Sequence, residues 1–337
     1  MRFAFSPEQM ELRDAVRDLL VRECTPAVVR AAWTNESGRA PTAWAALVEM
    51  GVLGVLVPES RGGLGLTEVD LVLVLEETGR AALPEPIVET AMIAAPEGWV
   101  EGSRSASVSL PESPFAAWAM SADVVITLAA DGVRVHERSE VGLRPRPSVD
   151  GARRLYEVIA PPTPPAADLR ACGLAFHRGV LGLAAQLVGL GDRMLEMAVE
   201  YAKEREQFGV KIGSQQAVKH HLANGRTQLE FARPLVYRAA ASLAAGDPEA
   251  GVHVAMAKVQ AGEAAGVAAR VALQCHGAIG YTTEYDLHLF MKRAWVLDRA
   301  WGDPAWHRRR LARAILDGDD VAIDRMAVAT DREERDG

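Results

Sequence analysis

Val124-Val125-Ile126-Thr127-Leu128-Ala129-Ala130-Asp131-Gly132-Val133-Arg134-Val135-His136 is the stretch on which the architecture turns. It opens as a β-branched run and is punctuated by Asp131-Gly132. Val133 and Val135 then alternate with Arg134 and His136. Glycine accepts the backbone a tight turn needs, and period-two alternation suits a half-buried strand, so the stretch predicts a β-hairpin. Working outward, Pro and Ser increase between about Ala95 and Pro165, and Leu155 to Ile159 is a second strand candidate closed by Pro161-Pro162. The expectation is a small antiparallel β domain of about seventy residues.

Both flanks read as helix. On the N-terminal side Ser6 can cap, Pro7 suits a first turn, and Met10, Leu12, Val16, Leu19 and Leu20 recur at helical spacing. A helix around Trp44 to Met50 runs into Gly51. The turn-rich Arg61-Gly62-Gly63-Leu64-Gly65 follows, and a further helix spans about Glu68 to Gly79 before Pro84 and Pro86. On the C-terminal side Leu181, Ala184, Ala185, Val188, Leu195, Ala198 and Val199 form one apolar stripe, and Leu287, Phe290, Met291, Ala294, Leu297 and Trp301 another. The predicted chain is therefore mostly α with a small β domain. Its parts are an N-terminal helical domain over 1–94, a middle β domain over 95–165, a C-terminal four-helix bundle over 166–329 and a charged tail over 330–337.

Composition narrows the function classes. Of 337 residues 49% are hydrophobic and 24% charged, which is globular rather than disordered, and the length favours more than one unit. The formal net charge of -8 removes the driving force for sequence-independent nucleic-acid binding, so no nucleic-acid partner is expected. Three widely spaced cysteines, Cys24, Cys172 and Cys275, lack metal-ligand spacing and suit a reducing, cytoplasmic setting. No uncharged apolar stretch approaches the roughly 20 residues a bilayer demands, so no membrane association is expected, and the sequon Asn35-Glu36-Ser37 is read as chance. Adjacent His220-His221 point to different helix faces and make a poor metal pair. His307-Arg308-Arg309-Arg310 could attract a phosphate, but Asp317, Asp319 and Asp320 follow, which favours a solvated helix face.

Three further stretches occur in a telling order. The first is Val57-Pro58-Glu59 through Gly62-Gly63-Leu64-Gly65-Leu66, with Asp70 to Glu77 and Gly79-Arg80. The second is Tyr201-Ala202-Lys203-Glu204-Arg205-Glu206-Gln207-Phe208-Gly209, continuing through Ile212, Gln215-Gln216 and Lys219. The third is Gln274-Cys275-His276-Gly277-Ala278-Ile279-Gly280-Tyr281 with Glu284 and Asp286. Together they resemble the acyl-CoA dehydrogenase family of flavoproteins over most of the chain. The resemblance implies that Arg205, Gln207, Phe208, Gln216, Gln274 and Gly277 contact FAD held mainly by a neighbouring subunit. A forked guanidinium and a glycine that admits close backbone approach are suited to a pyrophosphate. Alone, Arg205 beside Glu204 and Glu206 would read as a surface salt bridge, and Gly277 as a helix-breaking loop residue.

Two departures from the family pattern shape the functional expectation. Between Ala95 and Pro165 there is no counterpart of the Thr-Glu-Pro-Gly-Ala-Gly-Ser-Asp-like stretch that grips a chain's own flavin. Aligning Lys292-Arg293-Ala294 puts Trp301 where the family's proton-abstracting glutamate stands, with Gly302 and Asp303 after it, and ungapped counting puts Gly179 at the family's other glutamate position. An indole N–H is only a donor, so Trp301 is no base. No catalytic residue is therefore assigned. Asp303 points elsewhere from a helix end, and Glu284 and Asp286 read as helix-start charges.

The resemblance then implies a short subunit of a heteromeric acyl-CoA dehydrogenase, similar to the actinobacterial heterotetramers, two copies of each of two chains, that act on steroid side-chain CoA thioesters. The partner would be a full-length homologue supplying the base; the acyl-CoA would undergo α,β-desaturation, and an electron-transfer acceptor would take the electrons. Two alternatives stay open at this point: a self-sufficient homomeric enzyme with a displaced base, and a non-enzymatic structural paralogue.

Overall fold

The computed structural model describes residues 4–110, 113 and 115–317. The first helices are α1 (Pro7–Glu23), α2 (Pro26–Thr34), α3 (Pro41–Glu49) and α4 (Glu68–Arg80). Ser6 caps α1 in a reciprocal box, its hydroxyl accepting from the Gln9 N–H at 3.3 Å while Gln9 Oε1 accepts from the Ser6 N–H at 2.9 Å. Gly51, at φ +80°, follows α3 in the left-handed region that a side chain would resist. α4 matches the expected helix to within one residue, and Gly79 in its last turn is where a Cβ would strike the backbone of Gln186. Gly189 faces the Glu76 carbonyl in the same way, so paired glycines let α4 and the long helix behind it approach backbone to backbone. A π-helical turn, Val88–Ala94, and the short α5 (Ala95–Glu97) lead into the β region.

Six strands follow: β1 (Ala106–Ser109), β2 (Phe115–Ala117), β3 (Val124–Ala129), β4 (Gly132–Glu137), β5 (Gly142–Arg146) and β6 (Leu155–Ile159). The predicted hairpin is present, with β3 and β4 antiparallel and Ala129 opposite Gly132. The region is not wholly antiparallel, however. β1 runs parallel to β3 in the sheet ordered β1-β3-β4, whereas β2-β6-β5 is antiparallel throughout. The β-branched run is buried on both faces, which explains its near-continuous apolarity. Val124, Ile126 and Leu128 join the main core, and Val125 joins a small second core with Ala116, Ala119, Val141 and Tyr156.

The C-terminal part contains α6 (Leu169–Glu204), the two-residue strands β7 (Glu206–Gln207) and β8 (Val210–Lys211), α7 (Gln216–Ala244), α8 (Ala250–His276), α9 (Leu287–Arg299) and α10 (Pro304–Ala312). Asp168 starts α6 by accepting from the Ala171 N–H at 3.0 Å. α6 packs against α4, α7, α8 and α9, and one contiguous core runs through the N-terminal helices, β1, β3, β4 and the bundle. It is the one described helix long and apolar enough to cross a membrane, and 83% of that stretch is buried inside the protein. Buried ion pairs tie the parts together. Arg39 bonds Glu85 at 2.6 Å, and Arg293 of α9 pairs with Asp150 while donating to the Leu83 carbonyl at 2.7 Å. The expected tail over 330–337, with Asp319 and Asp320, lies outside the described residues.

Candidate functional site

The residues that the family resemblance singled out fall at two places. At one end of the bundle, α6 stops at Arg205, whose N–H donates to the Tyr201 carbonyl at 2.8 Å and whose own carbonyl accepts from Ile212 at 2.9 Å. Between them β7 and β8 form a tight hairpin with Phe208 at φ +54° and Gly209 at φ +79°, the backbone of a two-residue primed turn. That turn leaves Phe208 98% exposed. Gln216 opens α7, and because α7 and α8 are joined by a short turn, the C-terminus of α8 returns to the same end. The His276 ring is held there between Tyr201 and Tyr285, 4.6 Å from each, which pins α8 to α6. Gln274 and Gly277 are exposed beside it, and Gly277, at φ +64°, has open space where a Cβ would stand.

All six proposed cofactor contacts are thus brought to one solvent-facing end. The expected alternative for Arg205 does not occur: Glu206 pairs with Lys211 at 3.0 Å, and Arg205 has no ion pair with a described residue. A free guanidinium beside an open left-handed glycine fits the pyrophosphate and adenosine portion of FAD.

At the other place, the chain leaves α9 and turns sharply, with Trp301 at φ +61° and Gly302 at φ +92°. A left-handed bulky residue costs on the order of 1–3 kcal/mol and needs support from its surroundings. Two buried side chains hold the turn. Lys258 Nζ donates to the carbonyls of Asp298 at 2.8 Å and Gly302 at 3.3 Å, and His307 Nε2 bonds the Trp301 carbonyl at 3.0 Å. Burial, with the Lys258 charge second, pushes His307 down to about 2, so it is neutral and donates. Burial also pulls Lys258 down to about 8, which leaves it an ammonium at neutral pH.

The turn lays the Trp301 indole directly on Gly179. A Cβ built at Gly179 would overlap Cζ3, Cε3 and Cη2 of that ring, and the Phe176 ring stacks on its other neighbourhood at 6.1 Å with a 24° interplanar angle. Trp301 is 7% exposed. The two positions that the resemblance sets against the family's glutamates therefore touch, and the Trp301 indole fills the space over Gly179. Gly179 lies within α6 itself rather than upstream of it.

Nearby acids do not substitute. Asp303 caps α10, accepting from the Trp306 N–H at 2.7 Å, and Asp286 pairs with Arg30 at 2.5 Å rather than capping α9. The His307-Arg310 run is not a solvated face. His307 and Arg310 are buried, with Arg310 over the rings of Trp306 and Phe176 at 4.8 and 5.4 Å, while Arg308 and Arg309 are exposed. Among the described residues no group of three or more His, Cys, Asp and Glu could hold a metal ion.

Beside Trp301 a cleft of about 630 Å³ opens between the β region and the end of α9, with Val108, Phe115, Leu155 and Trp295 among its walls. Its charged described lining is Arg153, Arg299 and Asp298. Asp298 Oδ1 is buried without a partner and crowds Gly262 of α8, so that oxygen is turned toward α8. Sequence reasoning missed Lys258, His307 and Arg153 as members of this site. A signal existed for Lys258, a lone cation on the otherwise apolar stripe Val254, Ala261 and Ala265. None marked Arg153, whose setting is created by segments far apart in sequence.

Comparison with known proteins points to one family. Residues 6–96 match the acyl-CoA dehydrogenase N-terminal domain and residues 170–316 the acyl-CoA dehydrogenase C-terminal domain. The acyl-CoA dehydrogenase IpdE2 of Mycolicibacterium smegmatis is 33% identical over 324 residues, covering 92% of this chain and all of that one (100%). In fold, the chain is similar to the ChsE4-ChsE5 complex from Mycobacterium tuberculosis (TM-score 0.83, 24% identity, 94% of this chain and 99% of that one). It is equally similar to a variant of the Tcur3481-Tcur3483 steroid ACAD (TM-score 0.83, 23% identity, 92% and 98%). With both terminal domains matched, a full-length relative at this identity and the fold shared, the chain belongs to the acyl-CoA dehydrogenase family of FAD-dependent oxidoreductases.

Proposed function

We propose that this chain is the base-lacking subunit of a heteromeric acyl-CoA dehydrogenase, grasping the adenosine and pyrophosphate half of a FAD whose isoalloxazine half, catalytic carboxylate and acyl pocket belong to a full-length partner. The observation that carries the reading is the indole of Trp301 on Gly179, which leaves no room for a carboxylate at either family position. Proton abstraction α to a thioester needs an acceptor within hydrogen-bond reach, and an indole offers none. FAD, when bound, supplies the acceptor for the hydride leaving the β carbon. This chain's part is to bind and orient: Arg205 would pair with the pyrophosphate, Gln207, Gln216 and Gln274 would hydrogen-bond the cofactor's polar edges, Phe208 would stack, and Gly277 would admit close approach. The boundaries 1–94, 95–165 and 166–329 would then mark an N-terminal docking unit, a reduced β unit and the cofactor-holding bundle.

The two-chain names of the ChsE4-ChsE5 and Tcur3481-Tcur3483 proteins support a heteromer. We assign the substrate class to steroid side-chain CoA thioesters by the same likeness, with an electron-transfer acceptor downstream and a cytoplasmic setting. Flavin counting tests the proposal. The chain purified alone is expected to be colourless, and its complex with a full-length homologue to hold half as many flavins as chains. A yellow chain that by itself desaturates an acyl-CoA would overturn the reading in favour of a self-sufficient enzyme. A complex whose flavin content ignores Arg205→Ala would overturn it in favour of a structural paralogue.

A further inference from the structure

Arg153 is 6% exposed and lines the cleft beside Trp301; its backbone N–H donates to Asp150 Oδ1 at 3.3 Å and its guanidinium lies 5.8 Å from the Trp118 ring, but that guanidinium makes no hydrogen bond or ion pair with any described residue, and its Nε is buried and unpartnered. A guanidinium carries five donors, and leaving them unmade in a low-dielectric setting is costly. The surrounding acids are otherwise engaged. Asp150 is paired with Arg293, and Glu85 with Arg39 at 2.6 Å. Glu89 is the remaining described acid facing Arg153; burial raises its pKa, with Arg153 and then Arg293 opposing, and no ion pair or hydrogen bond joins it to the Arg153 guanidinium. Among the described lining residues, Arg153 and Arg299 stand against one carboxylate, that of Asp298, which Lys258 already faces. Apart from Ser113 and Ser148 the other described walls are apolar and aromatic, Val108, Phe115, Leu155, Trp295 and Trp301 among them, and about 630 Å³ lies within the range of small-molecule sites.

We propose that this cleft is a ligand site of the chain's own, taking a compact apolar body that bears a carboxylate, with the carboxylate received by the Arg153 fork. Guanidinium and carboxylate match in plane and spacing, and a bidentate pair away from water gives both affinity and orientation. The carboxylate could belong to a free acid or to the far end of a dicarboxylic acyl chain carried as a CoA thioester. Binding of a free acid needs no flavin and no catalytic carboxylate, so that arm stands or falls separately from the subunit assignment, whereas a thioester seated here would add an acyl site to the one assigned to the partner.

The test is calorimetric titration of the full chain, alone and in its complex, with 3-cyclohexylpropanoate and its neutral counterpart 3-cyclohexylpropan-1-ol, and with adipoyl-CoA against hexanoyl-CoA. The acid is expected to bind at least tenfold more tightly than the alcohol. Arg153→Met should abolish that preference without weakening the alcohol, and Arg153→Lys should keep part of it. Preference for adipoyl-CoA over hexanoyl-CoA would assign the thioester source, and preference for the free acid alone the other. Equal binding of acid and alcohol, no binding at millimolar concentration, or an acid preference that survives Arg153→Met would each overturn the proposal. Should Arg153→Met fail to fold by its circular dichroism, Arg153→Lys and the ligand pair on the unaltered chain still decide.

Discussion

The two places marked by the family resemblance differ in how their residues are employed. At the Trp301 turn the main contacts are internal: the indole rests on Gly179, the Trp301 carbonyl is bonded by His307, and Lys258 bridges the flanking carbonyls. At the Arg205 end the same chain leaves a guanidinium, an aromatic ring and a left-handed glycine facing water. Packing has closed the first site, whereas the second is arranged for something outside the chain. That contrast is what supports the proposed role of a subunit completing a partner's site.

That contrast can be broken by mutation. The largest effect is expected from Trp301→Ala, which empties the space over Gly179 and should cost about 3–5 kcal/mol in urea unfolding. A loss under 1 kcal/mol would show that the indole is not a packed plug. Gly179→Ala should cost about 1–3 kcal/mol by overlap with the ring. Most of that cost should vanish in the Trp301→Ala background, and additivity of the two changes would contradict their contact.

Lys258 sharpens the comparison through pH. Its folded pKa, about 8, lies below the ordinary lysine value, so above about pH 8 the unfolded chain binds the extra proton and this residue's contribution rises with pH until about 10.5. Relative to Lys258→Met, wild type should gain stability across that window with a slope of up to about 1.4 kcal/mol per pH unit. Denaturation midpoints at pH 7, 8.5 and 10 measure it, and parallel pH profiles for the two proteins would refute the burial of this charge. The smallest stability effect belongs to the open end. Arg205→Ala should shift unfolding by no more than about 0.5 kcal/mol, because the side chain touches nothing that folding needs. The flavin content of the complex should nevertheless fall, and a large stability loss would mean the guanidinium serves the fold instead.

Much of the architecture was legible. The Ser6 cap, the hairpin at Val124 to Val135 and the strand at Leu155 to Ile159 rest on local chemistry, and local chemistry is written in neighbouring residues. The parallel pairing of β1 with β3 was not legible, because strand direction is decided by partners rather than by the strand's own pattern. The role of Gly79 was hidden for the same reason: the helix over Glu68 to Gly79 was legible, but only the crossing of α4 with α6 shows that glycine as a point of close approach. The buried half of the His307-Arg310 run was likewise hidden, since periodicity marks a face but not the Phe176 and Trp306 rings that cover it.

By itself the sequence determined the family, the order helices, β unit, bundle, and that neither position 301 nor position 179 carries a carboxylate, because each is a matter of which side chain stands at which position. That the two positions are one place, that a single indole occupies it, and that an unpaired Arg153 looks into the adjoining cleft were decided only by tertiary packing. Contacts between residues more than a hundred positions apart leave no local pattern, and a side chain's partners depend on what the rest of the chain brings beside it.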